Sequence, residues 1–147
     1  MSRDALDLGA FLPYRLAVLA HAVSRAFARR YEAEVGLTIP EWRVMALLGA
    51  EPGLTATEVA EATPMDKVAI SRAVRSLSDA GRLTALEDRD DARLKRLRLT
   101  AAGMAVYRRI VPLARDLEAK LLADLGSRDR AALAALLARL EESAAAL

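Results

Sequence analysis

Residues 63–100 read TPMDKVAISRAVRSLSDAGRLTALEDRDDARLKRLRLT, and the change of period inside this stretch decides the fold. From Met65 to Ala80 the apolar residues Ile70, Ala73, Val74 and Leu77 recur at helical steps, and Gly81 supplies a stop. The other side of this helix carries Lys67, Ser71, Arg72 and Arg75, with no acid between Lys67 and Arg75. Beyond Gly81 the spacing shortens. Leu83-Thr84-Ala85-Leu86 and Lys95-Arg96-Leu97-Arg98-Leu99 read as two strands, the second alternating polar and apolar. The charged run 87–93 between them makes a hairpin with an exposed tip.

Upstream, Thr63-Pro64 breaks the chain, and Thr55-Ala56-Thr57-Glu58 is a capping-box pattern that opens a helix of about two turns. Thr38, three residues before Glu41 and followed by Pro40, starts another short helix through Trp42, Val44, Met45, Leu47 and Leu48, ending near Gly49. Leu12, Leu16, Leu19, Val23, Phe27 and Tyr31 draw one apolar stripe along a first helix, stopped at Gly36. Downstream, Thr100 caps a long helix from Ala101 to about Leu125, with Pro112 inside it expected to bend the rod. Ser127 is the expected cap of a last helix carrying Leu133, Leu136, Leu137 and Leu140, and the tail 143–147 is expected to fray.

Three helices followed by a hairpin is the order of a winged helix-turn-helix. The expected fold is therefore mainly α with a small β-hairpin wing, the winged helix-turn-helix being flanked by long dimerisation helices. Residues 1–35 are expected to form the N-terminal dimerisation helix, 36–100 the winged helix-turn-helix region, and 101–147 the C-terminal dimerisation helices, within one domain. The outer helices carry more apolar positions than a reading head of roughly 60 residues can cover, so a second subunit is expected to bury them.

Composition agrees. With 147 residues there is room for one ordinary core, and 32 Ala with 25 Leu against 4% aromatics favour helices over a β-sandwich. The absence of Cys and a single His, His21, leave no thiolate or histidine cluster, so no metal and no cofactor are expected. No phosphate-binding glycine loop or nucleophile elbow is present, which argues against an enzyme. No run approaches the roughly 18 apolar residues of a membrane span, and the N-terminus Met1-Ser2-Arg3-Asp4 lacks the apolar run of a signal peptide, so a cytoplasmic protein is expected. The net charge of +2 is unevenly spread: residues 36–65 carry a surplus of three acids, and residues 66–100 a surplus of three bases.

That basic surplus lies on the third helix and the hairpin, where double-stranded DNA is the partner it suits. Cations neutralise phosphates, Arg bonds guanine edges in the major groove, and Arg on a narrow loop suits the minor groove. The candidate contacts are Thr55, Thr57, Lys67, Ala69, Ser71, Arg72 and Arg75 on the helices, with Arg89 and Arg93 on the wing. Asp91, two residues before Arg93, is placed to orient its guanidinium by a bidentate contact. The plainer alternatives are a solvated helix face for the cations and a local surface pair between Arg89 and Asp88.

Residues 65–77 followed by Gly81 resemble the recognition helix of the MarR family of winged-helix transcriptional regulators. Asp91-Ala92-Arg93 resembles that family's acidic-x-Arg wing, and Leu99-Thr100-Ala101-Ala102-Gly103 the Leu-Thr-x-x-Gly start of its long fifth helix. Val68 and Ala69 depart from the pattern, standing where many relatives carry small hydroxyl residues. That bears on which bases are read, not on whether the helix enters the groove. The resemblance implies a homodimer, intertwined through the first, fifth and sixth helices. Its recognition helix 65–80 would enter the major groove of a pseudo-palindromic operator and its wing 87–95 the minor groove. It also implies a repressor released by a small aromatic or anionic effector. By position, His21, Trp42, Arg43 and Met45 are the effector candidates, an Arg beside aromatic surfaces suiting a carboxylated ring. The plainer readings make His21 an interface residue, Trp42 a core plug and Arg43 a partner of Glu41. The alternative function is a helical dimeric protein-interaction module whose basic patch meets an acidic partner.

Overall fold

A computed structural model describes residues 4–147. Met1, Ser2 and Arg3, part of the N-terminus read above for a signal peptide, lie outside the described residues. The elements run α1 (Leu12–Val35), α2 (Ile39–Ala50), α3 (Ala56–Ala62), α4 (Lys67–Asp79), β1 (Leu83–Glu87), β2 (Lys95–Leu99), α5 (Ala101–Leu121) and α6 (Ser127–Ala145). Contacts divide the chain into two compact units, the first ending at Leu113 and the second spanning Ala114–Leu147.

Local chemistry sets most boundaries in the first unit. Gly36 takes the left-handed conformation that closes α1 (φ 63°). At the start of α2, Thr38 Oγ1 accepts the Glu41 N–H (3.3 Å) while the Glu41 carboxylate accepts the Thr38 N–H (3.3 Å), a complete capping box. Thr55 Oγ1 accepts the Glu58 N–H at 3.2 Å and opens α3. The third helix of the reading head begins later than Met65, because Asp66 is its cap and accepts the Ala69 N–H at 2.8 Å. Thr100 Oγ1 accepts from Gly103 N–H and donates to the Gly81 carbonyl at 2.6 Å, tying the start of α5 to the turn after α4.

The hairpin is antiparallel, with Leu83 opposite Leu99 and Glu87 opposite Lys95. Its inward residues Leu83, Leu97 and Leu99 are buried together with Val44, Met45 and Leu48 of α2, Val59 of α3, and Ile70, Ala73 and Leu77 of α4. Tyr31, Val35 and Leu37 at the end of α1 and Ile110 of α5 are buried as well. The segment before α3 pairs with β2: Gly53 N–H donates to Leu97 O (2.9 Å), Leu97 N–H donates to Leu54 O (2.8 Å), and Thr55 bridges Arg96.

The C-terminal elements depart from expectation in three respects. The α5 helix ends at Leu121, not near Leu125, because the Arg130 guanidinium takes the Leu122 and Leu125 carbonyls (2.9 and 2.8 Å) and fixes a turn there. Pro112 lies inside α5, as its place in the sequence implies. Ser127 is the first helical residue of α6; Gly126 holds the cap position, with no side-chain bond. The tail keeps helical form through Ala145, with Ser143 Oγ donating to Arg139 O at 3.0 Å. Among the described residues no helix is long and apolar enough to cross a membrane.

Candidate nucleic-acid interface

Ile70, Ala73 and Leu77 face the core, which turns the remaining sides of α4 outward in a fixed order. Lys67 and Ser71 lie on one flank, where with Thr57 and Ala60 they line a cleft against α3. Ala69 and Arg72 lie toward the other flank, in a groove with Thr38, Pro40 and Glu41 at the start of α2. Ser76 Oγ donates to Glu41 Oε2 at 3.3 Å across that groove, so the capping box of α2 also holds α4. Lys67, Ser71, Arg72 and Arg75 are exposed, as is Thr57, whereas Ala69 is half-buried. Thr55 is half-buried, and its hydroxyl serves the α3 cap.

The outermost line of α4 runs through Val68, Arg72 and Arg75, spaced i, i+4 and i+7. Val68 is not among the contact candidates of the sequence, although it stands where many relatives carry small hydroxyl residues and its spacing from the two arginines sets it on their side of the helix.

At the wing, Arg93 is bound in a fork. Its Nε and Nη2 donate to Asp91 Oδ1 (3.1 Å) and Oδ2 (3.2 Å), and its own backbone N–H donates to Oδ1 at 3.0 Å. The Arg93 side chain is 91% exposed, a cation held out in a set pose. The surface pair between Asp88 and Arg89 does not form. Asp88 instead accepts from Arg96 Nε at 2.6 Å and from the backbone N–H groups of Asp90 and Asp91, which leaves Arg89 exposed beside it. Arg96 Nη1 also donates to the Gly53 carbonyl at 3.0 Å, so this arginine fastens the wing to the loop before α3. The Arg96 and backbone bonds hold the Asp88 carboxyl below the usual carboxylate range, and the Arg93 contacts do the same for Asp91. Both stay ionised at neutral pH and keep the hairpin tip folded.

The four effector candidates fall in unlike surroundings. His21 is exposed on α1. Met45 is fully buried in the core. Arg43 donates to Ser24 Oγ of α1 at 3.3 Å and does not pair with Glu41, whose carboxylate is taken up by Thr38 and Ser76. Trp42 joins an aromatic cluster, its ring 4.9 Å from Tyr31 and 6.0 Å from Phe27. Trp42 Nε1 and Tyr31 Oη are both buried without a hydrogen-bond partner, an uncommon state for two neighbouring donors. Burial pushes the Tyr31 phenol up to about 12. In the sequence Tyr31 shows only as part of the apolar stripe of α1.

A model of the MarR family matches residues 35–94, the span from the end of α1 through the wing tip. The chain is 33% identical over 123 residues to the HTH-type transcriptional repressor Rv2887 of Mycobacterium tuberculosis H37Rv, covering 83% of this chain and 84% of that protein. Among solved structures it is similar to the MarR family transcriptional regulator SPO1453 of Silicibacter pomeroyi DSS-3, with 31% identity, a TM-score of 0.81, and coverage of 95% and 98% of the two chains. It is also similar to the PcaV transcriptional regulator of Streptomyces coelicolor, solved in complex with its natural ligand. There the identity is 29% and the TM-score 0.76, over 98% and 99% of the chains.

Proposed function

The chain belongs to the MarR family of transcriptional regulators, and from that premise we propose that it is a repressor binding double-stranded DNA as a homodimer. The observation that carries this reading is the pairing of an acid-free cationic helix face with a wing arginine held outward by Asp91. In this reading α4 enters the major groove through Lys67, Ser71, Arg72 and Arg75, with Thr55, Thr57 and Ala69 beside it, while Arg89 and Arg93 follow the minor groove. Residues 1–35 and 101–147 supply the subunit interface around the reading head 36–100. Two heads related by a two-fold axis meet half-sites about one helical turn apart in a pseudo-palindrome.

A small aromatic or anionic effector that takes the unpaired donors Trp42 Nε1 and Tyr31 Oη, with Arg43 next to Trp42 on α2 and His21 on α1 as further candidates, would release the operator by population shift. PcaV, solved with its natural ligand, is the relative that supports this part.

The test is fragment selection from genomic DNA followed by gel shift over a salt series. The expected result is enrichment of one pseudo-palindromic sequence, bound with an affinity that falls linearly on a log-log plot against salt. Equal competition by arbitrary duplexes would sink the operator. A flat salt dependence with capture of an acidic protein would favour the interaction-module alternative.

A further inference from the structure

Phosphate attraction accounts for the cations of α4 but not for the residue at the head of their line. Val68 is 60% exposed in the first turn of the helix, directly after the Asp66 cap. It precedes Arg72 by one turn and Arg75 by two, on the side opposite Ile70, Ala73 and Leu77. The flanks on either side already face protein: Lys67 and Ser71 line the cleft with α3, and Ala69 lines the groove with α2, whose outer edge Arg72 also borders. Val68 therefore gains little packing within this chain, and its β-branched side chain is a mediocre helix former.

The first turn of a groove-reading helix is the part that meets base edges. On the major-groove edge of the four bases, the one apolar group is the C5 methyl of thymine. We propose that Val68 is a specificity-determining residue that contacts a thymine methyl in each half-site. This rests on the DNA-binding function above. Arg72 and Arg75 lie along the same outward line, so the surface that carries Val68 is complementary to a polyanion rather than to an apolar protein face.

The probe is the operator recovered by fragment selection, with each thymine replaced singly by deoxyuridine, which removes the methyl and nothing else. At one thymine per half-site the full-length protein is expected to lose about fourfold in affinity, the value of burying one methyl, and about fifteenfold when both half-sites are substituted. Val68→Ala is expected to bind the thymine and uracil operators alike, at about the affinity of the unaltered protein for the uracil operator. Circular dichroism of Val68→Ala should match the unaltered protein, since the side chain is exposed. Insensitivity of the unaltered protein to every uracil substitution overturns the assignment, as does undiminished sensitivity in Val68→Ala. Selection that enriches no DNA overturns the regulatory reading and this inference together, whereas enrichment without uracil sensitivity overturns this inference alone.

Discussion

Tyr31 and Trp42 show what one unsatisfied atom can signify. Each ring is packed well, at centroid separations of 4.9 to 6.0 Å within the Phe27 cluster, yet each polar tip is buried without a partner. Leaving a buried donor unmade costs about 1–3 kcal/mol, so an acceptor that reached either tip would recover energy the free protein lacks. With its pKa raised to about 12 by burial, Tyr31 stays a neutral donor wherever the pH is below about 10. The sign is that of a raised folded pKa: the stability tied to the neutral phenol is complete below the ordinary tyrosine pKa and is lost as pH rises through about 12. Aromatic carboxylates are expected to quench or shift Trp42 emission saturably and to weaken DNA binding in parallel. In Tyr31→Phe the effector affinity should fall by about tenfold while DNA affinity persists. No change in emission across a panel of aromatic acids would count against the site.

At the scale of elements, close approach governs how the head is joined. Gly103, in the first turn of α5, sits against the strand ends, where a Cβ would overlap the Arg82 carbonyl oxygen and come 3.3 Å from Leu99 Cβ. The Arg82 carbonyl also accepts the Thr100 N–H at 3.1 Å, so it cannot move aside freely. Gly to Ala within a helix normally stabilises by up to about 1 kcal/mol. Here the sign should reverse. Gly103→Ala is expected to destabilise by about 1–3 kcal/mol, read as a lower midpoint in urea unfolding; an unchanged or higher midpoint would refute the close approach. The wing shows the complementary device, in which Arg96 binds both Asp88 and the Gly53 carbonyl and makes the hairpin continuous with the loop that begins α3.

At the scale of the molecule, the apolar residues fall into two populations. Most of those of the reading head are buried, Val68, Leu86 and Leu94 excepted, while Leu12, Leu16 and Leu19 of α1 and Leu133, Leu136, Leu137 and Leu140 of α6 are exposed. Every residue of α6 is exposed, although its leucines keep a helical stripe. Large apolar stripes left to water mark an interface. Sedimentation is expected to give a dimer, and the double variant Leu136→Glu with Leu140→Glu a folded monomer. Untethering the second head should cost DNA affinity by at least about a hundredfold. A monomeric parent, or a variant that still dimerises, would remove the two-headed reading.

Much of this protein follows from local sequence alone. Thr38 with Glu41, Thr55 and Gly36 set helix ends through bonds spanning three or four residues, and period changes separate α4 from the hairpin, because such interactions need only near neighbours. The Asp91–Arg93 fork was legible for the same reason, two residues being close enough to pair without help from the fold. Tertiary structure decided the rest. It gave Asp88 to Arg96 instead of adjacent Arg89, turned Met45 inward, and ended α5 where Arg130 reaches back to two carbonyls. Each of those outcomes is a competition among partners or faces, and only the packed chain determines which of them come within bonding distance.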